Sequence, residues 1–196
     1  GVTFVMVLGG VDLSVGAVIS LTSVICAVQM GGDAANIPLA VAMACAAGLA
    51  IGAANGIAAA YTRVSPFILT LGTGIAVLGL TQIYSGGTAR GIVAPGFREF
   101  FNYRLGGVVP VLALVFLGLA VLGVLVQRYT ILGHRFYLIG SNRRAAVLSG
   151  VPVAGTTIAA YAIAGLFGAL AGMALLARSG VSSTLSGQGL EFQVLA

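Results

Sequence analysis

Lysine and tryptophan are absent from this 196-residue chain, and charge of either sign is scarce. Charged residues make up 7% of the sequence, against roughly 25% in soluble globular domains, too few to build a water-facing surface. Without lysine these residues cannot form a Walker A phosphate loop, whose Lys must reach the β- and γ-phosphates. Any ATP that drives this protein is therefore bound by another subunit. His134 is the only histidine, which rules out a histidine-based metal cluster. The two cysteines, Cys26 and Cys45, lie inside apolar stretches and read as small core thiols, not as a disulfide or metal framework. No metal and no cofactor is expected.

Enzyme classes suited to a membrane also lack their residues. An intramembrane serine protease needs Ser and His facing each other within the bilayer, and His134 stands among arginines. An aspartyl version needs two embedded aspartates, and Asp33 sits in the turn-like Gly31-Gly32-Asp33-Ala34-Ala35-Asn36. No catalytic residue is assigned, and the chain is not read as an enzyme. The formal net charge is +5, but the basic residues are all Arg and occur singly or in pairs between apolar runs. With no basic helical face and no aromatic stacking stripe, nucleic acid is not an expected partner.

What is present is apolar: 59% hydrophobic residues and a mean hydropathy of +1.12. The natural solvent is a bilayer, whose roughly 30 Å hydrocarbon core takes about 20 residues of helix to cross. Gly1 to Val11 reads as the end of a helix, interrupted at Gly9-Gly10-Val11-Asp12. Further runs cover Leu13–Met30, Ile37–Thr62, Phe67–Tyr84, Gly107–Gln127 and Val153–Ala177. Pro38 suits the first turn of its run, where a missing N–H costs nothing. Polar stretches fill Ser85–Gly106 and Arg128–Pro152, and a Ser/Gly-rich tail runs from Ser179 to Gly189. The expected fold is an all-α integral membrane protein. It is a polytopic helical bundle with broken helices, about five full spans plus a truncated one. The whole of 1–196 is expected to be a single membrane domain, and its abrupt ends suggest a piece of a longer chain.

Small residues indicate how the helices meet. Gly48, Gly52 and Gly56 recur every four residues along one face, and Gly168 and Gly172 do the same beside Ala169. Lipid tails provide little hydrophobic drive between helices, so association relies on close backbone approach over such residues. Ordinary packing and a seam around a moving pathway both fit.

Several polar groups lie within the apolar runs. Asp12 is the most informative, because a carboxylate inside the bilayer costs about 2.5–3.5 kcal/mol or more and usually faces water or a partner. It can cap the Leu13–Met30 helix by accepting the N–H of Ser14 or Val15, line a pathway, or do both. Asn55, Thr70, Thr73, Thr81 and Gln82 either line a route for a hydroxylated solute or form ordinary interhelical hydrogen bonds.

Four ordered motifs resemble one family. Gly9-Gly10-Val11-Asp12-Leu13-Ser14-Val15-Gly16 looks like the G-G-I-D-L-S-V-G signature of ribose-type sugar ABC permeases, with Val11 in place of Ile. Asn55-Gly56 followed by Ser65-Pro66-Phe67-Ile68-Leu69-Thr70-Leu71-Gly72-Thr73 resembles its N-G…P-x-F-I-x-T-L-G-T segment. The stretch from Gly133 to Asn142, continuing into Ala145-Ala146 and Ser149-Gly150-Val151, resembles its G-R-x-x-Y-A-x-G-x-N…A-A…S-G-I loop. There His134 is inserted before Arg135, and Leu138 replaces a small residue. Gly187-Gln188-Gly189-Leu190-Glu191 resembles the family's G-x-G-x-E-L.

The resemblance implies the permease subunit of an ATP-driven importer for a monosaccharide, in the bacterial inner membrane. A second copy or homologue would complete a dimer around the pathway. Cytoplasmic ATP-binding subunits would drive it and an extracytoplasmic sugar-binding protein would feed it, with membrane lipid around the whole. The pathway is then expected at Asp12, Ser14, Asn55, Phe67, Thr70 and Thr73. Coupling to the ATPase is expected at Arg135, Gly140, Asn142, Arg143, Arg144, Ala145 and Ala146. A short helix from Asn142 to Ser149 would be capped by Asn142 and make its contact through Ala145, Ala146 and Leu148. The alternative class is an energy-independent channel or secondary carrier for a small polar solute. Orientation follows from the family, since Arg63, Arg128, Arg135, Arg143 and Arg144 are nearly balanced across the bilayer by Arg90, Arg98, Arg104 and Arg178.

Overall fold

A computed structural model describes residues 1–195. Among the described residues four helices are long and apolar enough to cross a membrane: α3 (Ile37–Tyr61, preceded by a 3₁₀ turn at Ala34–Asn36), α4 (Pro66–Ser85), α6 (Val111–Tyr129) and α9 (Val153–Ser179). The first apolar region is divided into α1 (Val2–Val7) and α2 (Val15–Met30). At 1.5 Å per residue the 16 residues of α2 reach about 24 Å, short of the hydrocarbon thickness on their own. The chain is thus an all-α membrane protein with an interrupted helix. The polar stretches contain further short helices, α5 (Pro95–Asn102), α7 (Ile131–Ser141), α8 (Arg143–Leu148) and α10 (Leu190–Leu195).

Two boundaries differ from the sequence reading. The run expected to begin at Gly107 becomes helical only at Val111. Residues before it form a small hairpin, β1 (Arg104–Leu105) against β2 (Val109–Pro110), turned by Gly106 and Gly107 at positive φ. The Arg128–Pro152 stretch is mostly helical, because Thr130 caps α7 by accepting the Gly133 N–H and Asn142 caps α8.

The bundle is centred on α9. Gly48, Gly52 and Gly56 face Gly165, Tyr161 and Ile158 in turn, so α3 and α9 lie antiparallel. Gly168 faces Val15 and Val18, and Gly172 faces Ile19 and Thr22, so α2 runs parallel to α9 on another side. Gly52 shows why size matters: a Cβ there would collide with the Tyr161 carbonyl oxygen, which is backbone and cannot swing away. By contrast α6 buries none of its residues in the bundle, and its side chains are left to lipid or to other protein.

The 27 residues of α9 extend about 40 Å, enough to separate two polar ends. At its C-terminal end, Phe97 of α5 packs on Met173, Leu176 and Ala177, and Asn102 Nδ2 donates to the Ala177 carbonyl at 3.0 Å. At its N-terminal end, Val153 packs with Ala146 of α8 and Ile139 of α7. Cys26 and Cys45 belong to the apolar cluster near the first of these ends.

A Gly52→Ala substitution should therefore destabilise the bundle by about 1–3 kcal/mol, the usual cost of overpacking. Gly79→Ala, where nothing lies within 4 Å of a new Cβ, should be neutral or stabilising by about 0.5–1 kcal/mol through helix propensity. Thermal unfolding of the two variants in detergent checks the contrast.

Candidate functional site

The interruption between α1 and α2 is where the polar side chains of the bundle converge. The turn begins at Gly9, whose φ of 79° suits glycine. Its N–H and that of Gly10 bond back to the carbonyls of Met6 and Val5, both at 2.9 Å. Beyond that point the backbone has no helix of its own; two neighbouring helices bond to it, and a third bonds to its Ser14 side chain. From α9, the Tyr161 hydroxyl donates to the Val11 carbonyl at 3.2 Å. From α4, Thr70 Oγ1 accepts the Leu13 N–H at 3.0 Å while donating to the Pro66 carbonyl at 2.8 Å. From α3, Asn55 Nδ2 donates to Ser14 Oγ at 2.8 Å.

Asp12 closes the cluster. Its Oδ1 accepts both the Ser14 N–H at 2.9 Å and the Ser14 hydroxyl at 2.6 Å. Asp12, Ser14, Asn55, Thr70 and Tyr161 are each at most 2% exposed, so this is a buried network spanning four elements. The expected bond from Ser14 N–H to Asp12 is present, but Asp12 is not the N-cap residue of α2. The helix starts at Val15, Ser14 takes the flanking position, and no side-chain cap bond is made there. The reason is geometric: an aspartate that accepts the N–H two residues further on forms a local Asx turn, which tightens the loop instead of extending the helix.

Two expected pathway residues stand apart. Phe67 is exposed on the outside of α4, and the half-buried Thr73 bonds only to the Leu69 carbonyl of its own helix, at 3.1 Å. Thr81 likewise bonds within its helix, to Val77, and Gln82 is exposed. Tyr161 was missed by sequence reasoning. Its signal was a lone phenol in an Ala/Gly-rich run, a residue that usually finds a partner when buried.

The second group of expected residues gathers at the N-terminal end of α9. Asn142 Oδ1 accepts the Ala145 N–H at 3.0 Å, as a cap should. Arg143, Arg144 and Ala145 are exposed, and Arg135 is half-buried on the preceding helix. The Gly140 backbone lies against the Val7 carbonyl, so a side chain there would strike the end of α1. Ala146 corrects the expectation: it is 3% exposed and packs inward on Ile139 and Val153. It anchors α8 to its own bundle and is not free for an outside contact. The apolar surface presented outward is instead Val147 and Leu148, at 58% and 88% exposure.

Chemically, the buried network offers one carboxylate together with hydroxyl and amide groups. Among the described residues no group of His, Cys, Asp and Glu is placed to hold a metal ion.

The chain is similar to known proteins along its whole length. All of residues 1–196 match the family described as branched-chain amino acid transport system / permease component. The ribose import permease protein of Bacillus subtilis is 36% identical over 200 residues, covering 100% of this chain and 61% of the relative. The galactose/methyl galactoside import permease protein of Haemophilus influenzae is 32% identical over 214 residues, covering 100% and 63%. The fructose import permease protein of Rhizobium meliloti is 36% identical over 197 residues, covering 95% and 54%. The chain thus spans about three fifths of the length of these curated relatives. No solved structure matches.

Replacement of Asp12 separates a purely structural turn from one that also serves the solute. Asp12→Asn and Asp12→Ser keep a short acceptor and should assemble nearly as the wild type does, while Asp12→Ala should lose about 0.5–2 kcal/mol, the range for losing a local side-chain cap. Uptake measured beside assembled protein should fall further for Asn than assembly does. Full assembly and activity in the Ala variant would make Asp12 an incidental loop residue.

Proposed function

The chain belongs to the family of branched-chain amino acid transport system / permease components, and on that premise we propose that it is the membrane-spanning permease part of an ATP-driven monosaccharide importer. The observation that carries the proposal is the helix interruption. In hydrocarbon an open stretch of backbone is tolerable only where protein or a water-filled cavity satisfies it, and here side chains from α4 and α9 bond it while Asn55 of α3 holds its Ser14 hydroxyl. Hydroxyl, amide and carboxylate groups suit a neutral polyhydroxylated solute. The import role printed for the sugar permease relatives supports this reading over a channel or secondary carrier.

In this reading residues 1–196 are a single permease domain of the bacterial inner membrane. The loop from Leu8 to Ser14 completes the crossing that α2 begins, which makes five spans, and α1 belongs to a further one. Asp12, Ser14, Asn55 and Thr70, a buried network, support the wall of the route. A second copy or homologue faces them across it, and an extracytoplasmic sugar-binding protein delivers the solute.

Energy comes from cytoplasmic ATP-binding subunits. The docking element is α8, a short capped helix with Arg143, Arg144, Val147 and Leu148 turned outward and Ala146 anchoring it inward. An apolar side chain as exposed as Leu148, beside two guanidinium groups, suits an apolar socket with an acidic rim. Its position on α7 and at the start of α9 ties it to the helix that carries Tyr161, so movement at the ATPase reaches the interruption through one rigid element.

Two measurements test this. The full-length protein with its ATPase and binding protein, in proteoliposomes, should take up D-ribose, D-galactose, D-allose or D-fructose only with ATP. Leu148→Asp should insert normally and lose uptake by roughly tenfold or more, since each 1.4 kcal/mol of lost contact is a factor of ten. Wild-type uptake in Leu148→Asp would overturn the docking role of α8.

A further inference from the structure

After α9 ends at Gly180 the chain turns back into the bundle. The Arg90 N–H donates to Ser182 Oγ at 3.1 Å near the outer end. The Gly187 N–H then donates to Ser20 Oγ on α2 at 2.9 Å. Gly187 and Gly16 touch backbone to backbone, and a Cβ on either would run into the other's carbonyl. Ser20 and Gly16 lie about 15–21 Å along α2 from its C-terminal residue Met30, at 1.5 Å per residue. The tail therefore dips deep between the helices and arrives beside the first turn of α2, next to the Asp12 interruption.

A cavity of about 160 Å³ lies at that meeting point, lined by Leu13, Leu71 and Ile75 and, from the tail, Gln188, Glu191 and Phe192. At roughly 30 Å³ per water it holds several waters, and it is below the ~300 Å³ of sites for drug-sized ligands, so its occupant is small. Its chemistry is asymmetric: apolar walls from α2 and α4, and a carboxylate, an amide and a phenyl ring from the tail. Glu191 Oε2 is fully buried and, among the described residues, has no hydrogen-bond partner. A buried acceptor left unpaired costs more than a hydrogen bond contributes, and most such atoms in native proteins are satisfied.

We infer that this cavity is a waypoint for the solute, in which Glu191 and Gln188 hydrogen-bond the hydroxyls of a monosaccharide and Phe192 covers its C–H face. Glu191 Oε2 now packs against Gly16, and a turn of the carboxylate into the cavity brings it the donor it lacks, a hydroxyl of the solute. Leu13, one residue beyond Asp12, lines the cavity, so the helix interruption and the re-entrant tail form two walls of one route. The identity of the solute as a sugar rests on the permease reading above.

The test uses the full-length transporter with its ATPase and binding protein in proteoliposomes, with D-ribose, D-galactose, D-allose and D-fructose as probes. In a background of Cys26→Ala and Cys45→Ala, Gln188→Cys should react with a small water-soluble thiol reagent. That reaction should reduce uptake by about tenfold or more, and the transported sugar should slow it. Glu191→Gln should lower the maximal uptake rate severalfold while assembly and binding-protein-stimulated ATP hydrolysis persist. Modification at position 188 that leaves uptake unchanged, or no modification at all, overturns the waypoint and leaves the permease reading intact. If the unaltered transporter takes up none of the four sugars, the permease reading fails, and the assignment of a sugar to this cavity fails with it.

Discussion

Backbone exposed to hydrocarbon has no water to bond with, and this constraint governs how the bundle is built around Gly9–Ser14. A straight helix would satisfy every N–H and C=O internally. By breaking between Val7 and Val15 the chain gives up that arrangement and draws replacements from elsewhere: Tyr161 for the Val11 carbonyl, Thr70 for the Leu13 N–H, and Asp12 for the Ser14 N–H. Each replacement belongs to a different place in the sequence, so the break can exist only when α4 and α9 are docked. Asn55 of α3 adds a further tie through Ser14. The cluster is a joint whose geometry is set by three helices at once.

Close packing of small residues makes that joint possible. Gly52 lets the α3 backbone reach the Tyr161 carbonyl, which brings Asn55 within reach of Ser14. Gly168 and Gly172 bring α2 onto α9 in the same way, and Gly16 admits the returning tail. The glycines are therefore more than lubricant between helices: their positions determine which polar groups can meet. Because α9 carries Tyr161 in its interior and meets α8 at its N-terminal end, the joint and the outward face of α8 share one rigid support.

The parts of the fold legible in the sequence were those governed by local physics. Hydropathy, the break at Arg63 and Ser65-Pro66 and the polar stretch from Ser85 placed α3 and α4 within a residue or two, while α8 was expected from the family resemblance, with Asn142 as its fitting cap. The glycine spacing correctly marked the α3 face that packs, although not its partner. What escaped depended on tertiary contact. Tyr161 acquires meaning only when Val11, 150 positions away in the chain, is brought beside it. Ala146 looked available for an outside partner because its neighbours Ile139 and Val153 come from other helices. Phe67 and Thr73 stand three residues either side of Thr70, yet only Thr70 comes within bonding distance of the break. The helix at Ile131–Ser141 was missed because His134, Arg135 and Ser141 made the stretch read as a polar loop.

The claim on which this account rests is that bonds between helices hold the break in addition to those of its own turn. A double-mutant cycle on Ser14→Ala and Asn55→Ala, read by unfolding of the protein in detergent, addresses it directly. Interhelical hydrogen bonds in membranes average about 0.6 kcal/mol and reach about 1.7, so the two substitutions should be non-additive by an amount in that range. Strictly additive losses would mean that Asn55 and Ser14 act independently, and would contradict a joint assembled across helices.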